Sequence, residues 1–348
     1  MKIYPKFKAA VMHVSPVFLD TKKTIDKACS LIEEAANNGA SLVVFPETYV
    51  PAFPLWGSLR APVANHSFFK RLLANAVHVP GPEVRRVAEV ARRREVMVLL
   101  GINEGSTQSP GVLWNTNLLI GPDGRLLNHH RKIVPTYFEK LTWANGDGAG
   151  LRVVDTKLGR IGTLICGENS NALARHTLLA QGEEIHLANY PATWLNEGGF
   201  SLAQNVRIRS EAHSTEAKCF TAAASMYLTE AGKDVLAEGD MRLRQILDEG
   251  ERCPSLIVGP NAELKSPIMQ DEEGIGYGEI DVQDCVVPKQ FHDLAGYYNR
   301  FDIFNLSVDR STNEPVSFVK PRGVRQQIDM DLTEDLLDFR PRSEMAAE

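Results

Sequence analysis

The sequence predicts an α/β layered sandwich with mixed sheets. Short apolar runs alternate with amphipathic helical segments along most of the chain, the pattern of strands covered by helices. Two strong turn signals fall between paired apolar runs, so some strands are antiparallel neighbours and a pure parallel barrel is excluded. No fixed-period repeat and no Gly, Ser or Pro-rich linker divides the 348 residues. One domain is therefore assigned to residues 1–290. Periodicity fades beyond that point, and residues 291–348 are read as an extension, partly disordered, that contacts the body or another copy.

Each element has its own signal. Phe7 to Val14 reads as the first strand. Asp20 or Thr21 caps a helix that runs to Asn38 and stops at Gly39, with Ile25, Ala28, Cys29, Ile32, Ala35 and Ala36 on one face. Ser41 to Phe45 is a buried strand ending in Pro46-Glu47, and the prolines at 51 and 54 keep the aromatic segment after it irregular. Helices follow around 66–77 and 82–94, then a strand from Val96 to Ile102. Val112 to Ile120 and Arg125 to His130 form a hairpin across Gly121-Pro122-Asp123-Gly124. A second hairpin joins Leu151 to Asp155 with Arg160 to Cys166 through Lys157-Leu158-Gly159. Helix 171–181, strand Ile185 to Asn189, helix 200–216 and strand Lys218 to Ala224 continue the alternation. Ser255 to Val258 and Gly276 to Asp281 are the last strands, expected to be joined by the turn Gly259-Pro260-Asn261-Ala262.

Composition narrows the function. The 38 Lys and Arg against 44 Asp and Glu give a formal charge of −6, which argues against a nucleic-acid binder. No window approaches the length of a membrane span, and the first residues lack a secretory pattern, so a cytoplasmic protein is expected. The five cysteines lie at wide, irregular spacings without a Cys-x-x-Cys pair. Neither a disulfide framework nor a zinc site has support, and the histidines form no metal motif. No metal and no cofactor are expected.

Three polar residues stand at strand ends, where α/β layers bind ligands. Cys166 ends the run Ile161-Gly162-Thr163-Leu164-Ile165 and precedes Gly167. A cysteine is most often a small buried hydrophobe. Here, however, a following glycine lets backbone N–H groups approach a developing charge, and a helix start would lower the thiol pKa. Glu47 follows Val43-Val44-Phe45-Pro46 and precedes aromatics. A solvated loop carboxylate is the ordinary fate of Glu, but desolvation among these neighbours would raise its pKa toward that of a general base. Lys132 follows the strand ending at His130; alone it would read as a surface lysine. Thiol, carboxylate and ammonium together suffice for attack on an electron-poor carbon, proton transfer and charge stabilisation.

Phe45-Pro46-Glu47-Thr48-Tyr49-Val50-Pro51, the stretch from His130 to Trp143 with Gly146-Asp147-Gly148, and Leu164-Ile165-Cys166-Gly167-Glu168-Asn169 resemble the nitrilase superfamily. The middle stretch is most similar to the true nitrilase branch. The resemblance covers roughly residues 7–300. It implies a four-layer α-β-β-α sandwich and a Glu-Lys-Cys triad, with Cys166 as nucleophile, Glu47 as general base and acid, and Lys132 as electrostatic stabiliser. Glu139 matches a second glutamate that positions Lys132 or the hydrolytic water. Gly167 and Glu168 would offer backbone N–H groups. Pocket walls are expected from Tyr49, Phe53, Trp56, Tyr137, Trp143, Tyr190 and Trp194, each of which could equally be plain core. The implied activity is hydrolysis of an organic nitrile to a carboxylic acid and ammonia through thioimidate and thioester intermediates, with some amide release. An amidase or a cyanide hydratase or dihydratase would use the same triad, and a non-catalytic filament-forming scaffold would keep only the fold. Homodimers that assemble into larger oligomers or spirals are implied as well. One departure stands out: many nitrilases carry Trp directly after the nucleophile, where this chain has Gly167.

Overall fold

The computed structural model of the chain describes residues 4–195 and 199–313. Its elements run β1 (Lys6–His13), α1 (Thr21–Asn37), β2 (Ala40–Val44), α2 (Trp56–Leu59), α3 (His66–Ala74), α4 (Pro82–Arg94) and β3 (Met97–Gly105). The β4 (Leu113–Ile120) and β5 (Leu126–Arg131) hairpin follows, then β6 (Val154–Thr156), β7 (Gly159–Ile165), α5 (Ala172–Ala180) and β8 (Ile185–Tyr190). Next come α6 (Leu202–Ala217), β9 (Phe220–Ser225), α7 (Glu230–Ala237), α8 (Met241–Glu249), β10 (Leu256–Val258), β11 (Gly274–Asp281) and α9 (Val286–Phe291).

Local chemistry sets the main boundaries. The Asp20 carboxylate accepts from the Lys23 N–H and starts α1, while Gly39 ends the exit turn at φ +85°, a left-handed conformation suited to glycine. Pro82 opens α4, where a missing N–H costs nothing. Both helices bury one stripe, Ile25, Ala28, Ile32 and Ala35 in α1 and Val84, Val87, Val90 and Ala91 in α4.

The first sheet has the order β11-β1-β2-β3-β4-β5 and the second β10-β9-β8-β7-β6. Both are mixed: β1, β2 and β3 are parallel, as are β7, β8 and β9, and antiparallel partners flank each set. Side chains alternate between faces. Ala9, Val11, Leu42, Val44 and Leu99 meet Ile185, Leu187, Phe220 and Ala222 between the sheets. Ala10, Met12, Val43 and Val98 turn outward onto α1 and α4. On the opposite flank Ile165, Ala188 and Tyr190 pack under Leu202 and Val206 of α6, and Leu164 under Ala174 and Leu178 of α5. The layers are thus α-β-β-α, and each fully buried Val or Leu between them contributes roughly 1.5–3 kcal/mol.

Two features depart from the sequence reading. The last strands are not a hairpin, because β10 and β11 belong to different sheets. The turn at 259–262 does form, with the Ala262 N–H bonded to the Gly259 carbonyl at 3.0 Å. It sends the chain back along β10, bridging Leu264 to Val258 and Met269 to Ser255, before the crossover to β11. Helices α7 and α8 occupy a stretch to which the sequence reading assigned nothing. Both carry side-chain caps, Thr229 accepting from the Gly232 N–H and Asp240 from those of Arg242 and Leu243.

The compact unit extends through Thr312. Leu294 and Ala295 pack on Leu179, Ala217 and Cys219, and Val308 packs beside Leu151 and Leu178. The disorder expected near the end of the extension concerns residues outside the described ones. Among the described residues no helix is long and apolar enough to cross a membrane.

Candidate active site

Strand direction gathers the reactive residues. Glu47 lies beyond β2, Lys132 directly follows β5 and Cys166 directly follows β7. Two antiparallel steps, β3 to β4 and β4 to β5, return β5 to the direction of β2. The Glu47 N–H reaches the Tyr190 carbonyl of β8 at 3.4 Å, joining this edge of the first sheet to the second. Lys132 Nζ donates to Glu47 Oε1 at 2.8 Å and to Glu139 Oε2 at 2.6 Å. Asn115 Nδ2 donates to the same Glu47 oxygen at 2.7 Å. The Cys166 sulfur and an oxygen of each of Glu47 and Glu139 lie within 4.8 Å of one another. The side chains of Glu47, Asn115, Lys132, Glu139 and Cys166 are all buried.

Glu139 stands on a 3-10 turn, Tyr137–Leu141, opened by a capping box. The Thr136 hydroxyl accepts from the Glu139 N–H, and Glu139 Oε2 accepts from the Thr136 N–H at 2.7 Å. Tyr137 and Cys166 hold φ of +49° and +46°, left-handed values that cost an ordinary residue energy and often mark functional turns.

Burial dominates the protonation states. It pushes the Glu47 carboxyl up to about 7, against the pull of Lys132 and with the charge of Glu139. Burial also opposes the Lys132 charge, but the Glu139 and Glu47 carboxylates outweigh it and hold the ammonium above its ordinary value. The Cys166 thiol is raised by burial and by Glu47, with Lys132 pulling the other way. This corrects the expectation of a lowered thiol pKa: after Cys166 comes only a 3-10 turn, Cys166–Ser170, whose small dipole does not offset full desolvation. Glu47 Oε2 has no hydrogen-bond partner among the described residues.

Buried polar groups behind Cys166 fix the turn on which it stands. Glu168 accepts from the Ile165 N–H at 2.8 Å and the Ile133 N–H at 2.6 Å, and its Oε2 lies 2.9 Å from His130 Nε2. Asn169 Nδ2 donates to the Cys166 carbonyl at 3.0 Å, while its oxygen lies 2.8 Å from His186 Nε2. Glu183 stands behind, 2.9 Å from His186 Nδ1 and 2.7 Å from His213 Nε2. The sequence reading missed Asn115, Asn169, Glu183, His186 and His213. Polar residues inside otherwise apolar strand runs were the available signal, as in Leu113-Trp114-Asn115-Thr116-Asn117 and Ile185-His186-Leu187.

Beside Cys166 lies a cavity of ≈ 270 Å³. Of the residues expected to form its walls, Tyr137, Gly167, Tyr190 and Trp194 line it, together with Phe200 and Arg209, which sequence reasoning did not select. Tyr49, Phe53, Trp56, Trp143 and Glu168 lie elsewhere. Tyr49 packs on Phe45, Phe53 lies edge-on to Trp143, and Trp56 stacks on Phe68. The Trp143 ring centre is 5.9 Å from Lys132 Nζ, so it faces the cation. Gly167 answers a steric demand: a Cβ there would meet Thr136 Oγ1 at 2.6 Å. Thr136 thus occupies the space in which a larger side chain would begin.

Glu47, Glu139 and Cys166 are spaced closely enough to share a cation. Lys132 already supplies one, bonded to both carboxylates, so the arrangement suits proton transfer and charge stabilisation better than metal binding.

A buried thiol, two carboxylates and an ammonium at one edge of an α-β-β-α sandwich define a class of thiol-dependent hydrolases. A sequence profile of the carbon-nitrogen hydrolase family matches residues 8–289, and the chain belongs to that family. Within it, the similarity is to the nitrilase branch. The chain is 35% identical to a protein of Paraburkholderia phymatum named nitrilase, over 89% of this chain and 88% of that one. It is 33% identical to an arylacetonitrilase of Hypocrea virens, covering 92% and 96%. It is 31% identical to an aliphatic nitrilase of Rhodococcus rhodochrous, covering 89% and 85%. Among solved structures, a Saccharomyces cerevisiae member of branch 10 of the nitrilase superfamily superposes with TM-score 0.65 at 18% identity, covering 84% of this chain and 97% of that one.

Proposed function

We propose that this chain hydrolyses organic nitriles to carboxylic acids and ammonia, with Cys166 as nucleophile, Glu47 as proton carrier, Lys132 as stabiliser of charge on the adducts and Glu139 as the residue that positions Lys132. The carrying observation is the thiol beside a carboxylate whose one oxygen is tied to Lys132 and whose other is free.

Cys166 Sγ adds to the nitrile carbon, and the thiol proton passes through Glu47 to the nitrogen, giving a thioimidate. A water adds to that carbon; its two protons reach the nitrogen in turn through Glu47, the C–N bond breaks as the C=O forms, and ammonia leaves. The thioester that remains takes a second water, deprotonated by Glu47, and the C–S bond breaks to release the acid and restore the thiol. One nitrile and two waters yield one acid and one ammonia. If the first tetrahedral adduct expels sulfur instead of nitrogen, the product is the amide.

Mass-spectrometric product analysis over a mixed panel of nitriles, amides and cyanide tests the reading. Acid and ammonia from nitriles, with little amide turnover, are expected. Turnover of amides alone would replace the reading with an amidase, formamide or formate from cyanide with a cyanide hydratase or dihydratase, and inertness with a scaffold.

The same reading carries a catalytic domain at 1–290, supported by the family match over 8–289, and an extension at 291–348. It carries a cytoplasmic location, supported by five free cysteines, four of them buried. It also carries a homodimer that assembles further. Leu173 on α5, Ile208 on α6, and Tyr297, Phe301 and Phe304 in the extension expose apolar surface that a second copy would cover. Light scattering of the purified protein reads the oligomer directly, and a monomer at micromolar concentration would remove this part.

A further inference from the structure

The cavity beside Cys166 has an almost wholly apolar surface, yet Arg209 is among the residues that line it. Leu202, Asn205 and Arg209 form one stripe of α6 at helical spacing, and that stripe faces the cavity. Arg209 makes no hydrogen bond or ion pair with any described residue, and its Nε is buried without a partner. Tyr190 lines the same cavity, and its hydroxyl is a second buried polar atom without a partner among the described residues. Glu47 and Glu139 each bond Lys132 through one oxygen, and the Asn205 amide N–H donates to the Ser201 carbonyl at 2.8 Å; none of them bonds Arg209 or the Tyr190 hydroxyl.

Buried donors left unmade are costly, and an always-charged guanidinium more so. Two orphaned donors on residues that line one small cavity are complementary to an acceptor that arrives with the ligand and draws them toward it. A nitrile group is neutral and reacts at the sulfur. The acceptor therefore belongs to the part of the substrate away from the nitrile, and a planar carboxylate matches the guanidinium fork.

We propose that Arg209 and the Tyr190 hydroxyl form an anion subsite in the cavity of Cys166, and that the preferred substrates are small nitriles bearing a carboxylate at the end remote from the nitrile. This rests on the nitrilase reading for the reacting end and names the substrate class.

The test pairs terminal-nitrile cyanopropanoate, cyanobutanoate, cyanopentanoate and cyanomethylbenzoate each with the nitrile in which an isopropyl group replaces the carboxylate. The wild-type kcat/KM favours the acid member of at least one pair by about tenfold to a hundredfold, the ratio of a charge-assisted hydrogen bond. In Arg209→Gln that preference collapses toward parity, chiefly through KM, and Arg209→Glu prefers the corresponding terminal ammonium. Parity in every wild-type pair, or a preference that survives Arg209→Gln, overturns the subsite. A binding arm separates the two levels. Cys166→Ala protein, titrated calorimetrically with the same cyano acids, binds them more tightly than their neutral partners in a salt-sensitive way, and the additional Arg209→Gln change removes the difference. Arg209-dependent binding without any nitrile turnover leaves the subsite standing and sinks the nitrilase reading. Nitrile turnover without Arg209-dependent selectivity does the reverse.

Discussion

Glu47 and Glu183 are both fully buried glutamates in contact with nitrogen bases, yet their carboxyls move in opposite directions. Burial raises Glu47 to about 7. Glu183 is held at about 2: burial alone would raise it, but His186 and His213 outweigh that. The difference is the number of partners per charge. Glu47 shares the single cation Lys132 with Glu139, so two carboxylates compete for one ammonium. Glu183 has two imidazoles to itself. Burial sets the scale of the perturbation, and local charge balance sets its sign. A carboxyl near 7 can gain or lose a proton at neutral pH. A carboxylate near 2 stays charged and holds a turn in place.

The severest way to break this comparison is to remove the shared cation. Lys132→Met leaves Glu47 and Glu139 buried without a counter-charge, and urea titration is expected to show a loss of about 3–5 kcal/mol with turnover at background. A stability near wild type would show that Lys132 does not balance the pair.

Next in size is the loss of the Glu47 carboxyl, the proposed proton carrier. Glu47→Gln keeps the shape of the side chain and is expected to lower turnover by about 10²–10⁴-fold. Its stability profile carries a sign. The Glu47 carboxyl is raised in the folded state, so it contributes stability below its ordinary value of 4.5 that is lost as the pH rises through about 7. Glu183 is the reverse: its contribution is present above 4.5 and lost as the pH falls through about 2. Denaturation of the two Gln variants across pH should therefore flatten different windows, the upper for Glu47→Gln and the lower for Glu183→Gln. Flattening in the same window would contradict opposite shifts.

A finer test uses the rate profile. Glu139→Gln removes the like charge beside Glu47, so the Glu47 pKa falls and the acidic limb of kcat/KM moves to lower pH. Glu183→Gln lowers the rate by loosening the Cys166 turn but leaves that limb where it is. A limb that follows Glu183 and ignores Glu139 would reverse the assignment of roles.

The smallest expected effect is steric. Gly167→Ala drives a Cβ against Thr136 Oγ1 and is expected to cost about 1–3 kcal/mol as an overpacked contact. Combined with Thr136→Ala, the two costs should not add. Strict additivity would mean that the contact does not limit position 167.

The meeting of Glu47, Lys132 and Cys166 was legible because strand ends can be read from short apolar runs, and a Cys, Glu or Lys just past such a run is conspicuous. The order of layers was legible for the same reason. The sign of the Cys166 shift was not, since it depends on how completely neighbours exclude water and on the absence of a regular helix at that point. The Glu183 pairing was hidden because Glu183 lies in the loop before β8, while His213 is thirty residues away and approaches on α6. Tyr49, Phe53, Trp56 and Trp143 follow strand ends as Tyr190 does, but sequence does not say which aromatic faces a cavity and which faces other side chains. Arg209 was hidden similarly: α6 is polar on several sides, and only tertiary packing decides which stripe meets the cavity.

Quenching the wild-type protein within one turnover of a nitrile, followed by intact-mass measurement and peptide mapping, tests the central assignment most directly. The peptide containing Cys166 should gain the full mass of the nitrile, or that mass plus water minus ammonia, while Cys166→Ala protein gains nothing and releases no ammonia. Ammonia release by Cys166→Ala at the wild-type rate, or an adduct on another cysteine with Cys166 unmodified, would contradict it.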